Sequence, residues 1–180
     1  MSTPPLGIRQ ETAADYERVN AIVKAAFASA EYSDQSEHLL VQRLRQSDAF
    51  IPELSLVAEQ DGVLLGHILL TRIKVVDDGQ ETPSLALAPV SVLPSHQGKG
   101  IGGALIKAAH ERARALGHGS VILLGHENYY PRFGYRPTAE YGIRLPFEAP
   151  AENCMLIELQ EGSLAGVSGV VEYSAPFMEG

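Results

Sequence analysis

Val90-Ser91-Val92-Leu93-Pro94-Ser95-His96-Gln97-Gly98-Lys99-Gly100-Ile101-Gly102-Gly103 is the stretch whose reading decides the fold. It closes an apolar segment, Leu85 to Leu93, and opens a helical pattern near Gly102. Glycines at such a junction let backbone N–H groups approach a ligand closely. A helix start adds unpaired donors and the positive end of a dipole. The run Gln97 to Gly102 is therefore suited to hold a phosphate, and its flanks must say whose.

Downstream, Ile101, Leu105, Ala108, Ala109, Arg112, Ala113 and Leu116 recur at helical spacing, and Gly117 caps the helix. Val121 to Leu124 is a continuous apolar run, suited to a strand buried on both faces. The helix between two apolar strands makes one crossover, right-handed if the strands are parallel. Pro89 lies inside the first of those strands and cannot donate a ladder hydrogen bond, which predicts a bulge or an edge there.

Upstream, Gly7 to Gln10 reads as a first strand, and Thr12 with Asp15 has capping-box spacing. Tyr16, Val19, Ile22, Val23, Ala26 and Phe27 follow near helical spacing. A break at Ser29 to Ser33 precedes a second helix, opened by Ser36 and carrying Leu39, Leu40, Arg43 and Leu44. Leu54 to Glu59 alternates weakly as a strand. Gln60-Asp61-Gly62 is a hairpin turn, and Val63 to Val76 is the long returning strand, ended by Asp77-Asp78-Gly79. Beyond Asn128 come an aromatic turn, Tyr129 to Tyr135, a strand from Cys154 to Leu159 and a short terminal strand, Val170 to Tyr173. No repeat or linker interrupts this pattern. The expectation is a mixed α/β fold around one sheet, a single domain over 1–180 with its core at about 6–160 and a loop and short strand at 161–180.

The 180 residues are 45% hydrophobic and 20% charged, as in an ordinary globule. No apolar run approaches the roughly 20 residues that span a bilayer. Met1-Ser2-Thr3-Pro4-Pro5 lacks the basic and apolar regions of a secretory signal. The single cysteine, Cys154, excludes an internal disulfide and a thiol-rich metal site. A cytoplasmic protein is the economical expectation, with no metal and no membrane partner. Fourteen Lys and Arg against 22 Asp and Glu give a net charge of −8. That balance disfavours a nucleic-acid surface, which needs clustered cations. It leaves room for a cationic substrate, although solubility explains it as well.

Gly98-x-Gly100-x-x-Gly103 literally matches a dinucleotide fingerprint, but its context does not. Pro94 to Gln97 separate strand from glycine, Val121 to Leu124 ends without a ribose-binding acid, and only one good crossover exists. A Walker loop fails because Gly100, not Ser or Thr, follows Lys99. The pattern that fits is Gln-x-x-Gly-x-Gly after Val90-Ser91-Val92-Leu93-Pro94. In it the chain resembles the GCN5-related N-acetyltransferase (GNAT) superfamily, with Gln97, Gly100 and Gly102 at the defining positions of the acyl-CoA loop. Asn128 followed by Tyr130-Pro131-Arg132-Phe133-Gly134-Tyr135 resembles that family's second signature. Leu87 to Pro137 looks like the bacterial subgroup named for YhbS, and the order of elements matches from about Gly7 to Leu159.

The resemblance implies a GNAT-type, mostly antiparallel sheet with helices on both faces and a splayed strand pair. It implies acetyl transfer from acetyl-CoA to a primary amine, on a small molecule or a protein, by direct attack in a ternary complex. The cofactor side would be the backbone of Val90 and Val92, Gln97, Gly98, Lys99, Gly100, Ile101, Gly102 and Gly103, with Asn128 and Tyr130. Pro89 would help part the fourth and fifth strands. Tyr130 matches the tyrosine that assists the leaving thiolate, whose pKa is on the order of 8.5. The family's usual fourth-strand Glu has no counterpart, since Ser84 to Leu93 contains no acid. Glu127, His126 and His67 remain as candidates to take the amine's proton. Glu31-Tyr32-Ser33-Asp34-Gln35-Ser36-Glu37 lies where the family varies its acceptor loop, and Cys154 is expected in the core. The pattern admits a homodimer. The competing expectation on the same fold is a non-catalytic acyl-CoA sensor.

Overall fold

The computed structural model describes residues 5–28 and 35–178. They group into two compact units, Met1–Leu70 with Ala88–Ala109, and Thr71–Leu87 with His110–Gly180. The chain passes between the units inside β3 (Val63–Asp77), β4 (Gln80–Val92) and α3 (Ile101–Ala115), so each boundary falls within an element.

In the first unit, β1 (Gly7–Gln10) pairs antiparallel with β2 (Ser55–Gln60), which pairs antiparallel with β3. Asp61 and Gly62 join β2 to β3 with φ of 52° and 75°. Two left-handed residues in a row match the right-handed strand twist, which is why Asp-Gly marks this hairpin. Thr12 and Asp15 form the expected capping box, the Asp15 carboxylate accepting the Thr12 N–H at 2.8 Å. Beyond it run α1 (Tyr16–Phe27), which buries Val19, Ile22 and Val23, and α2 (Glu37–Arg45), which buries Val41 and Leu44.

Consecutive residues of β3 show how helices cover both faces. A Cβ on Gly66 would lie 3.0 Å from Leu105 Cδ1 and 2.9 Å from the Ser91 carbonyl, so α3 sits directly on the strand. His67 faces the other way, where Arg45 of α2 closes over Glu11 and Ser55.

In the second unit, Asp78 and Gly79, with φ of 47° and 85°, join β3 to β4. β4 pairs parallel with β5 (Ser120–Leu124) at Leu85↔Val121 and Ala86↔Ile122, completing the crossover through α3. Both strands run on past that ladder, and Pro89, expected at a bulge or an edge, lies in the continuation of β4. The Ala88–Pro89 peptide is cis. β5 pairs antiparallel with β8 (Cys154–Glu158) along its whole length, and β6 (Arg136–Pro137) adds to β8. β9 (Gly169–Glu172) pairs antiparallel with β3 and parallel with β7 (Ile143–Arg144). Ile73, Val75, Ala86, Ile122, Ile143, Leu156, Leu164 and Val171 form a core, with Phe177 of α4 (Ala175–Met178) packed against it.

The strands follow the order β1-β2-β3-β4-β5-β8-β6, mostly antiparallel. Three details differ from the sequence expectation. β4 begins at Gln80 rather than Leu85, because the hairpin with β3 carries Glu81 in an ion pair with Lys74. β6 and β7 are two residues each and α4 is four, too short to leave a periodic signal. No helix among the described residues is long and apolar enough to cross a membrane.

Candidate active site

The glycine-rich loop leaves β4 through a 3₁₀ turn, Pro94–His96, and enters α3 at Ile101. Gly98 and Gly100 have φ of +78° and +82°, and a Cβ at either would meet nothing within 4 Å. Their open surroundings show that glycine is needed for backbone conformation, which turns successive N–H groups outward. The Ala104 N–H makes the first bond of α3, to Gly100 O at 3.0 Å. The N–H groups of Ile101, Gly102 and Gly103 precede it and are the unpaired donors of the helix start. Ile101 itself is buried, while Lys99 is exposed. Gln97 turns back, its Nε2 donating to Val92 O at 3.1 Å. The motif glutamine thus ties the loop to the last residue of β4. Val90 and Val92 are half-buried. Outward N–H groups at a helix start are the kind of donors that suit a phosphate.

Tyr130 belongs to the second unit, in the 3₁₀ turn Tyr130–Phe133 that follows β5. It is 9% exposed, with its ring edge-on to Tyr129 at 5.1 Å and to Tyr135 at 5.7 Å between centroids. Burial, then the neighbouring Tyr129, pushes its hydroxyl up to about 12, so it stays protonated. Tyr135 shares a 2.8 Å hydrogen bond with His110 Nε2. Burial holds His110 down to about 4 and Tyr135 well above 10, which keeps that pair neutral as well. Arg132 staples the turn: Nε donates to Tyr129 O at 2.9 Å, Nη2 to Asn128 O at 3.2 Å, and the guanidinium lies 4.8 Å from the Tyr129 ring centroid. Asn128 is exposed, and the His126 carbonyl accepts the N–H groups of Tyr129 and Tyr130.

Of the candidate proton acceptors, Glu127 is the one held in place. Asn153 Nδ2 donates to Glu127 Oε2 at 2.6 Å and to Gly125 O at 2.9 Å, while Gly125 N–H donates to Asn153 O. The His126 ring has no hydrogen bond among the described residues. His67 is wholly buried, and desolvation, then Arg45, holds it down to about 3, so it is not an ordinary solvent-facing base. Asn153 and Arg132 were not singled out from the sequence. Arg132 sits inside the aromatic motif and was legible in principle, whereas Asn153 acts across 26 residues and carries no local signal.

Beside Cys154, the last partner of β5, opens a groove of about 980 Å³ in the second unit. Its walls include Ile143, Leu145, Phe147 and Pro150, with Arg144 and Glu148 as its charged lining. Cys154 is buried, its thiol pushed up by burial and then Glu152, and it lies 3.5 Å from Pro150 O. It is a core residue, as expected. Residues 29–34 lie outside the described residues; they include 31–34 of the acidic segment Glu31 to Glu37 and the expected break at Ser29 to Ser33.

A family model described as an acetyltransferase (GNAT) domain matches residues 7–138. The chain belongs to the GNAT acetyltransferase family. It is 34% identical over 140 residues to the uncharacterized N-acetyltransferase YjhQ of Escherichia coli K12, covering 76% of this chain and 77% of that one. To YhbS of the same strain it is 28% identical over 171 residues, 94% of this chain and 97% of the other. The crystal structure of E. coli YhbS in complex with CoA superposes with a TM-score of 0.88 at 25% identity, over 99% of this chain and 94% of that one. A GNAT acetyltransferase from Brucella melitensis in complex with acetyl-CoA gives 0.79 at 34% identity, over 96% and 98%. This acetyltransferase therefore shares its relatives' fold along nearly its full length.

Proposed function

We propose that the whole chain works as one N-acetyltransferase module, moving an acetyl group from acetyl-CoA to a primary amine by direct attack in a ternary complex. The observation that carries this reading is the loop. Gly98 and Gly100 are left-handed in open space, Gln97 pins the loop to Val92, and α3 offers the Ile101 to Gly103 donors. These groups fit a pyrophosphate, and relatives of similar length have been solved with CoA and acetyl-CoA. Acetyl-CoA supplies the thioester; everything else falls to the chain. Lys99 adds charge at the loop, the backbone of Val90 and Val92 pairs with the pantetheine arm, and Asn128 is a further candidate to bond the donor.

Tyr130 donates its hydroxyl to the leaving sulfur. Full transfer from a group at about 12 to a free thiolate near 8.5 is uphill by roughly 5 kcal/mol. A desolvated thiolate is more basic than a free one, so the hydrogen bond strengthens as charge builds on sulfur. Glu127, oriented by Asn153, takes the proton of the amine. The groove beside Cys154 receives the body of the acceptor, and its apolar walls favour an amine on an apolar scaffold. The bacterial relatives support a bacterial enzyme.

Thermal-shift titration tests the donor: acetyl-CoA raises the midpoint and NAD(H) does not. Release of free CoA with a panel of amines then tests catalysis. Stabilisation without release for any amine would make the chain a sensor instead.

A further inference from the structure

A buried polar network in the first unit has one open valence, at the Nδ1 of His67. Arg45 Nη2 donates to Glu11 Oε2 at 2.5 Å, and Ser55 Oγ donates to Glu11 Oε1 at 2.7 Å. Ser55 Oγ also lies 2.9 Å from His67 Nε2. A serine has one proton to give, and here it goes to the carboxylate, so His67 Nε2 must be the donor in that second bond. The tautomer follows: Nε2 carries the hydrogen and Nδ1 is a bare lone pair. His67 is 0% exposed and its Nδ1 has no partner. A dry, unmatched acceptor is destabilising, so the network is costly unless something uses that lone pair.

The neighbouring strand carries the matching group. Leu93 N–H donates to Leu65 O at 2.9 Å, which sets the antiparallel register in which Ser91 stands across from His67. The Ser91 hydroxyl is a buried group without a partner. One donor and one acceptor thus remain open on facing residues, and a turn about Ser91 χ1 or a single water joins them. Ser91 lies between Val90 and Val92, the residues assigned above to the pantetheine arm.

We propose that His67 is a positioning residue for acyl transfer: its Nδ1 takes the Ser91 hydroxyl and so fixes the Val90–Val92 segment against which the thioester is aligned. The inference rests on the acetyltransferase reading of β4. Arg45, Glu11 and Ser55 serve it by holding one tautomer of the ring.

Three variants test it. Ser91→Ala removes the donor and leaves His67 Nδ1 unmatched, so the melting temperature falls by a few degrees, while kcat falls about tenfold and the acetyl-CoA Kd moves less than twofold. His67→Asn keeps an acceptor at the δ position but loses the Ser55 bond; His67→Gln keeps a donor at the ε position but loses the acceptor. Asn is therefore the less stable and the more active of the two. Activity that simply follows melting temperature across these variants, or an unchanged kcat in Ser91→Ala, overturns the proposal. Nitrogen-15 spectroscopy of the His67 ring needs no turnover. It should show the Nε2–H tautomer at neutral pH and an Nδ1 resonance that moves in Ser91→Ala; an Nδ1–H tautomer or an unmoved resonance overturns the proposal too. A wild type that releases no CoA with any amine would sink the acetyltransferase reading alone, and the spectroscopic result would still decide the contact.

Discussion

The Tyr130 ring occupies the space in which residue 125 would carry a side chain: a Cβ on Gly125 would lie 2.9 Å from Cδ2 and nearer still to Cε2. An aromatic ring wedged between Tyr129 and Tyr135 cannot yield as a flexible chain end would. Gly125→Ala should therefore move the ring and cut turnover about tenfold or more, about 1.4 kcal/mol of barrier. Steady-state rates beside calorimetric acetyl-CoA affinity check this, and affinity should hold because the loop is untouched.

Tyr130→Phe removes the hydroxyl and keeps the packing. Turnover should fall about a hundredfold, within the usual range for a lost general acid, with acetyl-CoA binding nearly intact. Since burial pushes Tyr130 up to about 12, its donor form persists well past pH 10. The wild-type rate should accordingly show no loss between pH 8 and 10 that Tyr130→Phe abolishes. Unchanged turnover in the variant would remove Tyr130 from the chemistry.

His67 makes stability depend on acid. Its folded value is lowered to about 3 from 6.5, so between those limits the unfolded chain binds a proton that the native one does not. Stability is thus complete above about pH 6.5 and falls as pH drops toward 3. At pH 5 the loss from this one ring is about 2 kcal/mol. Urea unfolding at pH 7 and pH 5 measures it, and His67→Asn should shrink the difference by about that amount. His110, held down to about 4, adds a second loss over the same window.

Asp15 joins three segments through one carboxylate. It is 1% exposed, accepts Arg9 at 2.7 Å and Arg18 at 2.9 Å, and closes the capping box with Thr12. Arg9 holds it well below the usual carboxylate range, so its contribution is present above about pH 4 and is lost as pH falls. Asp15→Ala should cost about 1–2 kcal/mol in urea unfolding, since the Thr12 N–H loses its cap and Arg18 loses a partner, while Arg9 keeps Glu59 at 2.9 Å.

Much of this was legible in the chain because the signals are local. Asp61-Gly62 and Asp78-Gly79 mark the two hairpins, Thr12 and Asp15 the start of α1, and Gln97 to Gly103 the glycine-rich turn into α3. The network of Glu11, Arg45, Ser55 and His67 was not legible, although His67 itself drew notice. Its hydrogen bonds reach across as many as 44 residues, and nothing in the neighbourhood of any one member announces the others. Asn153 is hidden for the same reason: its partners, Gly125 and Glu127, meet it only because β5 and β8 pair in a register set by turns far from both. The groove beside Cys154 depends on loop backbone with no periodicity, so its residues read only as an irregular, proline-containing segment.

The missing side chain at Gly66 has a consequence for how donor affinity can change over evolutionary time. Ile101 and Leu105 rest on that bare patch of β3, and Gln97 holds the other end of the loop to Val92. On the proposed reading the loop is held at both ends, and little ordering entropy remains to be lost when it takes the donor. A methyl at position 66 would press on the Ser91 carbonyl as well as on Leu105, lifting the helix start away from its support. Affinity for the donor could then drift through a residue that never meets it. Selection on this enzyme's appetite for acyl donors would leave its mark on the back of a strand, well behind the glycines proposed to hold them.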